Sequence, residues 1–161
     1  MQTNMDFNFS RDYQNFRPVP RELITQDLVW VSPDADLAEA ARLMKENQIG
    51  DVLVAHLQDG KLKPLGIVTD RDVSMESVAE EVPFDQLRVA DIMTENLTCA
   101  PVESGFFEWI RTMKENGITR LPLVDSEGSI VGIVTARKLL CHLVQGLHDL
   151  THISDQQRMN H

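Results

Sequence analysis

Apolar and polar positions along the chain switch between two periods, and they do so twice. Short apolar runs at residues 29–31, 52–57 and 62–69 have the length and β-branched content of strands. Between the first two, Leu37, Ala40, Ala41 and Met44 recur at helical spacing, with Asp36 placed as N-cap and Glu39 three residues on in capping-box register. Gln58-Asp59-Gly60 marks a turn, and Asp70 is expected to begin a second helix. The second pass predicts a strand over 97–100, a helix over 104–116, strands over 121–124 and 130–135 about a turn at Ser126-Glu127-Gly128, and a closing helix over 136–150.

The two passes align residue by residue. Pro33 matches Pro101, Met44-Lys45-Glu46-Asn47 matches Met113-Lys114-Glu115-Asn116, Ile49 matches Ile118, and Gly66-Ile67-Val68-Thr69 matches Gly132-Ile133-Val134-Thr135. The offset is 68, then 69, then 66, so the length changes fall where connections tolerate them. Each pass reads strand, helix, strand, strand, helix, an α+β unit with one apolar sheet face. Two such βαββα units packed sheet to sheet bury that face as one pseudo-symmetric module.

Composition narrows the function classes. The 161 residues carry a formal net charge of -10, which disfavours nucleic acid and anionic membrane surfaces as partners. No apolar run reaches the roughly 20 residues of a membrane span, and the N-terminus lacks the apolar core of a signal peptide, so a cytoplasmic protein is expected. Cys99 and Cys141 lie in apolar runs and are expected as buried free thiols. Residues 1–21, with Phe7, Phe9, Tyr13 and Phe16, read as an arm packed on its own domain or on a second copy; residues 76–86, with Glu80, Glu81 and Asp85, read as an acidic linker. Residues 151–161 read as a polar, frayed tail.

The duplicated pattern resembles a tandem pair of CBS domains, the Bateman module, from about Glu22 to Leu150, with units over 22–75 and 87–150. The residues that carry the resemblance are Gly66-Ile67-Val68-Thr69-Asp70-Arg71-Asp72, Gly132-Ile133-Val134-Thr135, Asp91-Ile92-Met93-Thr94 and Ile118-Thr119-Arg120-Leu121-Pro122-Leu123-Val124. The resemblance implies a regulatory module whose inter-unit cleft takes an adenosine-containing ligand such as AMP, ADP, ATP or S-adenosylmethionine. It also implies a homodimer of flat discs, for which Met44, Trp109, Met113 and Leu143 are expected to supply an apolar helix face.

The residues fit such a cleft. Thr69 places a hydroxyl at the strand end, and the free N–H groups of the following helix suit a phosphate. Asp72, one turn in, can accept from both ribose hydroxyls, and Arg71 can neutralise phosphate. In the family pattern Thr and the Asp three residues on have these two roles. The second unit keeps Thr135 and Arg137 but has Lys138 in place of the Asp, and an ammonium donates without accepting. Lys138 and Arg120 are therefore expected to be phosphate-directed, or the second site altered or empty. The competing reading makes Thr69, Asp70, Asp72 and Thr135 helix caps, and Arg71, Arg120, Arg137 and Lys138 solvated or salt-bridged surface. The module would then serve only dimerisation or docking.

No nucleotide loop, nucleophile elbow or CxxC pair is present, so no enzyme is expected. His148 and His152 stand four apart on a helix, but in a polar segment that reads as solvated rather than metal-binding. Cys141 and His142, adjacent on a helix, do not face each other as nucleophile and base would.

Overall fold

The computed structural model describes residues 19–79, 82–83 and 86–159. Most of the N-terminal arm, Glu80, Glu81 and Asp85 of the linker, and the last two residues lie outside the described residues.

The first repeat runs β1 (Trp30–Val31), α1 (Leu37–Asn47), β2 (Asp51–Gln58), β3 (Lys61–Thr69) and α2 (Asp70–Ala79). A short helix α3 (Val89–Ile92) and strand β4 (Thr94–Glu95) follow. The second repeat runs β5 (Ala100–Pro101), α4 (Phe106–Asn116), β6 (Arg120–Val124), β7 (Ile130–Thr135) and α5 (Ala136–Met159). Each repeat is thus the expected βαββα unit. Asp36 caps α1 as its spacing predicts, its Oδ1 accepting from the Glu39 amide at 2.8 Å. The helix ends on Gln48 at φ 53°, whereas α4 ends on Gly117 at φ 64°, where glycine bears the left-handed conformation without penalty.

Among the described residues the strands form two sheets, ordered β1-β2-β3-β4 and β5-β6-β7. In each, the first strand lies parallel to the second, reached across a helix, and the second and third form an antiparallel hairpin. The sheets face each other through Leu53, Ala55, Ile130 and Ile133, flanked by Trp30, Leu62, Leu97 and Val124. Apolar burial between the repeats makes them one body.

The segments that precede each repeat are exchanged. Thr94 in β4, just ahead of the second repeat, pairs with Ile67 of the first. Thr25, just ahead of the first repeat, bridges Ile133 of the second, with N–H···O bonds of 2.8 and 2.9 Å in the two directions. Their flanking side chains follow: Leu23 is buried in the core of the second repeat, around Trp109 and Leu121, and Val89 in that of the first, around Leu37 and Val54. Each repeat's core is completed by chain that precedes the other.

Several expectations are corrected. The strand expected over 97–100 forms at Ala100–Pro101, because the parallel pairing with β6 begins only there. The closing helix does not end near Leu150 but continues to Met159, so residues from Thr151 are helical rather than frayed. Helix α2 continues to Ala79, into the stretch read as linker. Cys141 is exposed and Cys99 half-buried, since α5 presents residue 141 away from the core. Met44, Trp109 and Met113 are buried in their own repeats, Trp109 donating through Nε1 to the Pro101 carbonyl at 3.2 Å, and so offer no face to a second chain. Leu143 remains exposed, with Leu140, Val144, Leu147, Leu150 and Ile153 along α5.

Candidate functional site

Thr69 ends β3 and Asp72 stands in the first turn of α2, so the strand-to-helix junction brings them together. The Thr69 amide and hydroxyl donate to Asp72 Oδ2 at 2.9 and 2.8 Å, and the Asp72 amide donates to Thr69 Oγ1 at 3.1 Å. This is a reciprocal capping box. It fixes both side chains and commits one carboxylate oxygen, leaving Oδ1 as an acceptor. Arg71 is exposed beside them.

The second junction is built differently. The Lys138 amide donates to Thr135 Oγ1 at 3.3 Å, as Asp72 does to Thr69, but the side chain turns outward from its own cap. Its Nζ donates to Thr25 Oγ1 at 2.8 Å and to the Glu22 carbonyl at 3.3 Å, both on the lead-in of the first repeat. Arg137 is exposed.

The two junctions are linked by a pair of which Arg120 is expected from the sequence and Asp51 is not. Asp51 pairs with Thr69 across β2 and β3, and Arg120 pairs with Thr135 across β6 and β7. Asp51 Oδ1 lies 3.2 Å from Arg120 Nε, with both side chains largely covered at 25% and 29% exposure. Arg120 Nε makes the ion pair outside hydrogen-bond geometry. Burial raises the Asp51 carboxyl above its ordinary range; Arg120 opposes the shift and Asp70 adds to it. The repeat alignment held the signal, since the offset of 69 around Ile49 and Ile118 places Asp51 opposite Arg120.

A cleft of about 170 Å³ opens beside this pair, lined by Thr25, Asp27, Asn47, Asp51, Arg120 and Thr135. It belongs to the second junction and draws walls from both repeats. A shallower hollow of about 600 Å³ lies outside it, against Glu22, Arg137, Lys138 and His142. A third groove, about 370 Å³, runs between α4 and α5 and is lined mainly by apolar side chains such as Ile110, Met113 and Leu143. The structure therefore brings Thr69 and Asp72 together, sets Thr135 and Arg120 on one cleft, and sends the Lys138 ammonium to the lead-in.

The family model for the CBS domain matches residues 21–78 and 89–145. The chain belongs to the CBS domain family. It is 33% identical over 119 residues to an inosine-5'-monophosphate dehydrogenase of Methanocaldococcus jannaschii, covering 74% of this chain and 22% of that enzyme. Across three curated relatives the chain spans 59%, 22% and 28% of the relative's own length. The fold is similar to the CBS domain pair of MJ0100 in complex with 5'-methylthioadenosine and S-adenosyl-L-methionine, at TM-score 0.63 and 20% identity, covering 78% of this chain and 99% of that one. It is also similar to CBSX2 of Arabidopsis thaliana in complex with AMP, at TM-score 0.65 and 22% identity, covering 77% and 95%.

The tandem CBS pair expected from the repeat is thus the fold observed. Among the described residues no helix is long and apolar enough to cross a membrane, and no cluster of three or more His, Cys, Asp or Glu is arranged to hold a metal ion. The His148 and His152 rings approach at 3.1 Å between Nε2 atoms on the exposed face of α5.

Proposed function

We propose that this chain is a regulatory module that binds an adenosine-containing ligand between its CBS repeats and conveys occupancy to a partner protein or through its own dimer. The observation that carries the reading is the Thr69–Asp72 junction, where a hydroxyl and a carboxylate oxygen meet at the first turn of α2; the Asp70 and Asp72 amides there are already bonded, to the Gly50 carbonyl and to Thr69 Oγ1. Asp72 Oδ1 accepts from the ribose hydroxyls, while Thr69 and Arg71 take phosphate or another polar substituent. Arg120 reaches the same strand pair through Asp51, so an anionic ligand competes with Asp51 for its guanidinium. Thr135 and Arg137 line the second junction. AMP, ADP, ATP and S-adenosylmethionine share the adenosyl group this arrangement addresses, and complexes of two structural neighbours with AMP and with S-adenosyl-L-methionine support that class.

The test is a thermal-shift and calorimetric screen against those four compounds. At about 100 times its Kd a ligand adds roughly 2.7 kcal/mol to stability. Asp72→Ala removes the shift if the site is correctly placed. No shift with any compound, or an equal shift in the variant, leaves the ligand-free docking module as the better reading.

Dimerisation is proposed along α5 rather than through the buried helix faces. Leu140, Leu143, Leu147 and Leu150 recur at intervals of three and four, and range from 39% to 64% exposed. Light scattering of the wild type and of Leu147→Glu is expected to give a dimer and a monomer.

A further inference from the structure

Lys138 stands where the repeat pattern places the ribose acceptor, yet its ammonium is held within the chain. Two of its three donors go to Thr25 Oγ1 and the Glu22 carbonyl, 113 and 116 residues away. Thr25 is itself a wall of the inter-repeat cleft and is bonded through its backbone to Ile133 in both directions. The lead-in is therefore fastened to the second repeat twice, by backbone and by the Lys138 side chain.

We propose that Lys138 is the specificity-determining residue of the second cleft: it substitutes a structural strut for the ribose acceptor, bars an adenosyl ligand there, and limits the module to one ligand per chain. The stoichiometric part rests on the reading of Thr69 and Asp72 given above. Three features exclude the alternative, a Lys138 directed at phosphate. Its ammonium is aimed at the lead-in. The cleft carries two carboxylates, Asp27 and Asp51, and its guanidinium, on Arg120, already faces Asp51. An entering phosphate meets repulsion from the two acids and must detach Arg120 from its partner.

The two repeats thus use the same helix position in opposite ways. Asp72 turns back on its own cap through Oδ2 and leaves Oδ1 outside it, whereas Lys138 reaches across to brace chain from the other repeat. The difference makes the pseudo-symmetric module single-sited.

Two measurements test this. The first needs no ligand: hydrogen exchange at the Thr25 and Ile133 amides is compared in the wild type and Lys138→Met, which keeps the stem but loses the donors. Exchange at both is expected to accelerate roughly tenfold or more; unchanged protection overturns the strut. The second is calorimetric stoichiometry with AMP and, for the variants carrying Lys138→Asp, with adenosine, which has no phosphate to meet the two acids. We expect one site in the wild type, none in Asp72→Ala, two in Lys138→Asp, and one in the double variant. Lys138→Asp retains local helix stability because an acid at this position caps through Thr135 as Asp72 does through Thr69. Two sites in the wild type, one of them lost in Lys138→Met, overturn the proposal by making Lys138 a ligand contact. Undiminished binding in Asp72→Ala instead refutes the placement of the first site, and the exchange result still decides the strut.

Discussion

Asp51 and Arg120 occupy equivalent positions in the two repeats, at the first residues of β2 and β6, and meet each other across the module at 3.2 Å. A duplicated chain with the same residue at both positions would set like charges face to face at this point. The two positions instead carry opposite signs, and the contact joins the two strand-to-helix junctions through their strand partners Thr69 and Thr135.

The raised Asp51 carboxyl predicts an asymmetry between deleting its two ends. Burial is the largest influence and outweighs Arg120, so ionising Asp51 in the fold is unfavourable relative to the unfolded chain. Asp51→Asn, which resembles the protonated form, should change stability at neutral pH by less than about 1 kcal/mol. Arg120→Met leaves a desolvated carboxylate without its cation and should cost about 1–3 kcal/mol there. Because the folded carboxyl titrates above 3.8, the folded state takes up its proton first as pH falls. Stability from this group therefore rises as pH is lowered through the interval just above 3.8, and the Arg120→Met deficit should shrink in the same interval. Asp125 supplies the opposite sign: amide hydrogen bonds, first from Ser129, hold its carboxyl below 3.8, so its contribution is present above that value and is lost as pH falls through the folded one. Urea titrations of the variants at a series of pH values check both slopes.

Gly66 and Gly132 are strand residues of the repeated motif, and each has a packing reason to be glycine. A Cβ on Gly66 would collide with the Thr94 carbonyl oxygen of β4. A Cβ on Gly132 would collide with Ile24 Cγ2 and sit 3.1 Å from the Thr25 carbonyl oxygen. Both glycines thus admit the exchanged lead-ins. Each change to alanine should lower stability by about 1–3 kcal/mol, with Gly66→Ala the more damaging because backbone yields less readily than a side chain. Urea midpoints should fall while the slope of the transition stays constant.

What was legible in the sequence is what is local or repeated. The Asp36 cap, the β2–β3 and β6–β7 hairpins and the junction of Thr69 with Asp72 rest on spacings of a few residues, and the structure keeps them. The exchange of lead-ins joins Thr25 to Ile133 and Thr94 to Ile67, contacts that no local period encodes. Lys138 shows the same limit: the sequence places its Cα in the ligand pattern, but a four-carbon stem reaches Thr25 as readily as a phosphate. Helix α5 outran its expected end because Leu147, Leu150 and Ile153 are exposed rather than packed in a core and polar residues stand between them, so no buried apolar stripe marks the helix there.

The cysteines give a prediction that needs no ligand. Cys141 is exposed on α5, whereas burial pushes the Cys99 thiol up to about 11. The thiolate is the reactive form, so Cys99 is nearly all thiol at neutral pH. An aromatic disulfide reagent should label one equivalent rapidly in the native protein, and Cys141→Ser should abolish that phase. Adding urea should then release the second equivalent at the unfolding midpoint.

Thr69 carries two duties that one substitution separates. Its hydroxyl donates to Asp72 and accepts from the Asp72 amide, so Thr69→Val removes both side-chain links of the capping box. Loss of such a cap lowers stability by about 1 kcal/mol, a drop expected without ligand. If the junction also holds an adenosyl ligand, the same variant loses most of the thermal shift produced by AMP, because the hydroxyl is gone and Asp72 is held only by the Thr69 amide. Thr69→Ser keeps the oxygen and should retain both properties, apart from a small loss from the missing methyl. A variant that loses the cap energy yet shows an undiminished AMP shift would assign the Thr69–Asp72 pair to helix capping alone, and the ligand would have to be sought at the cleft beside Asp51 and Arg120.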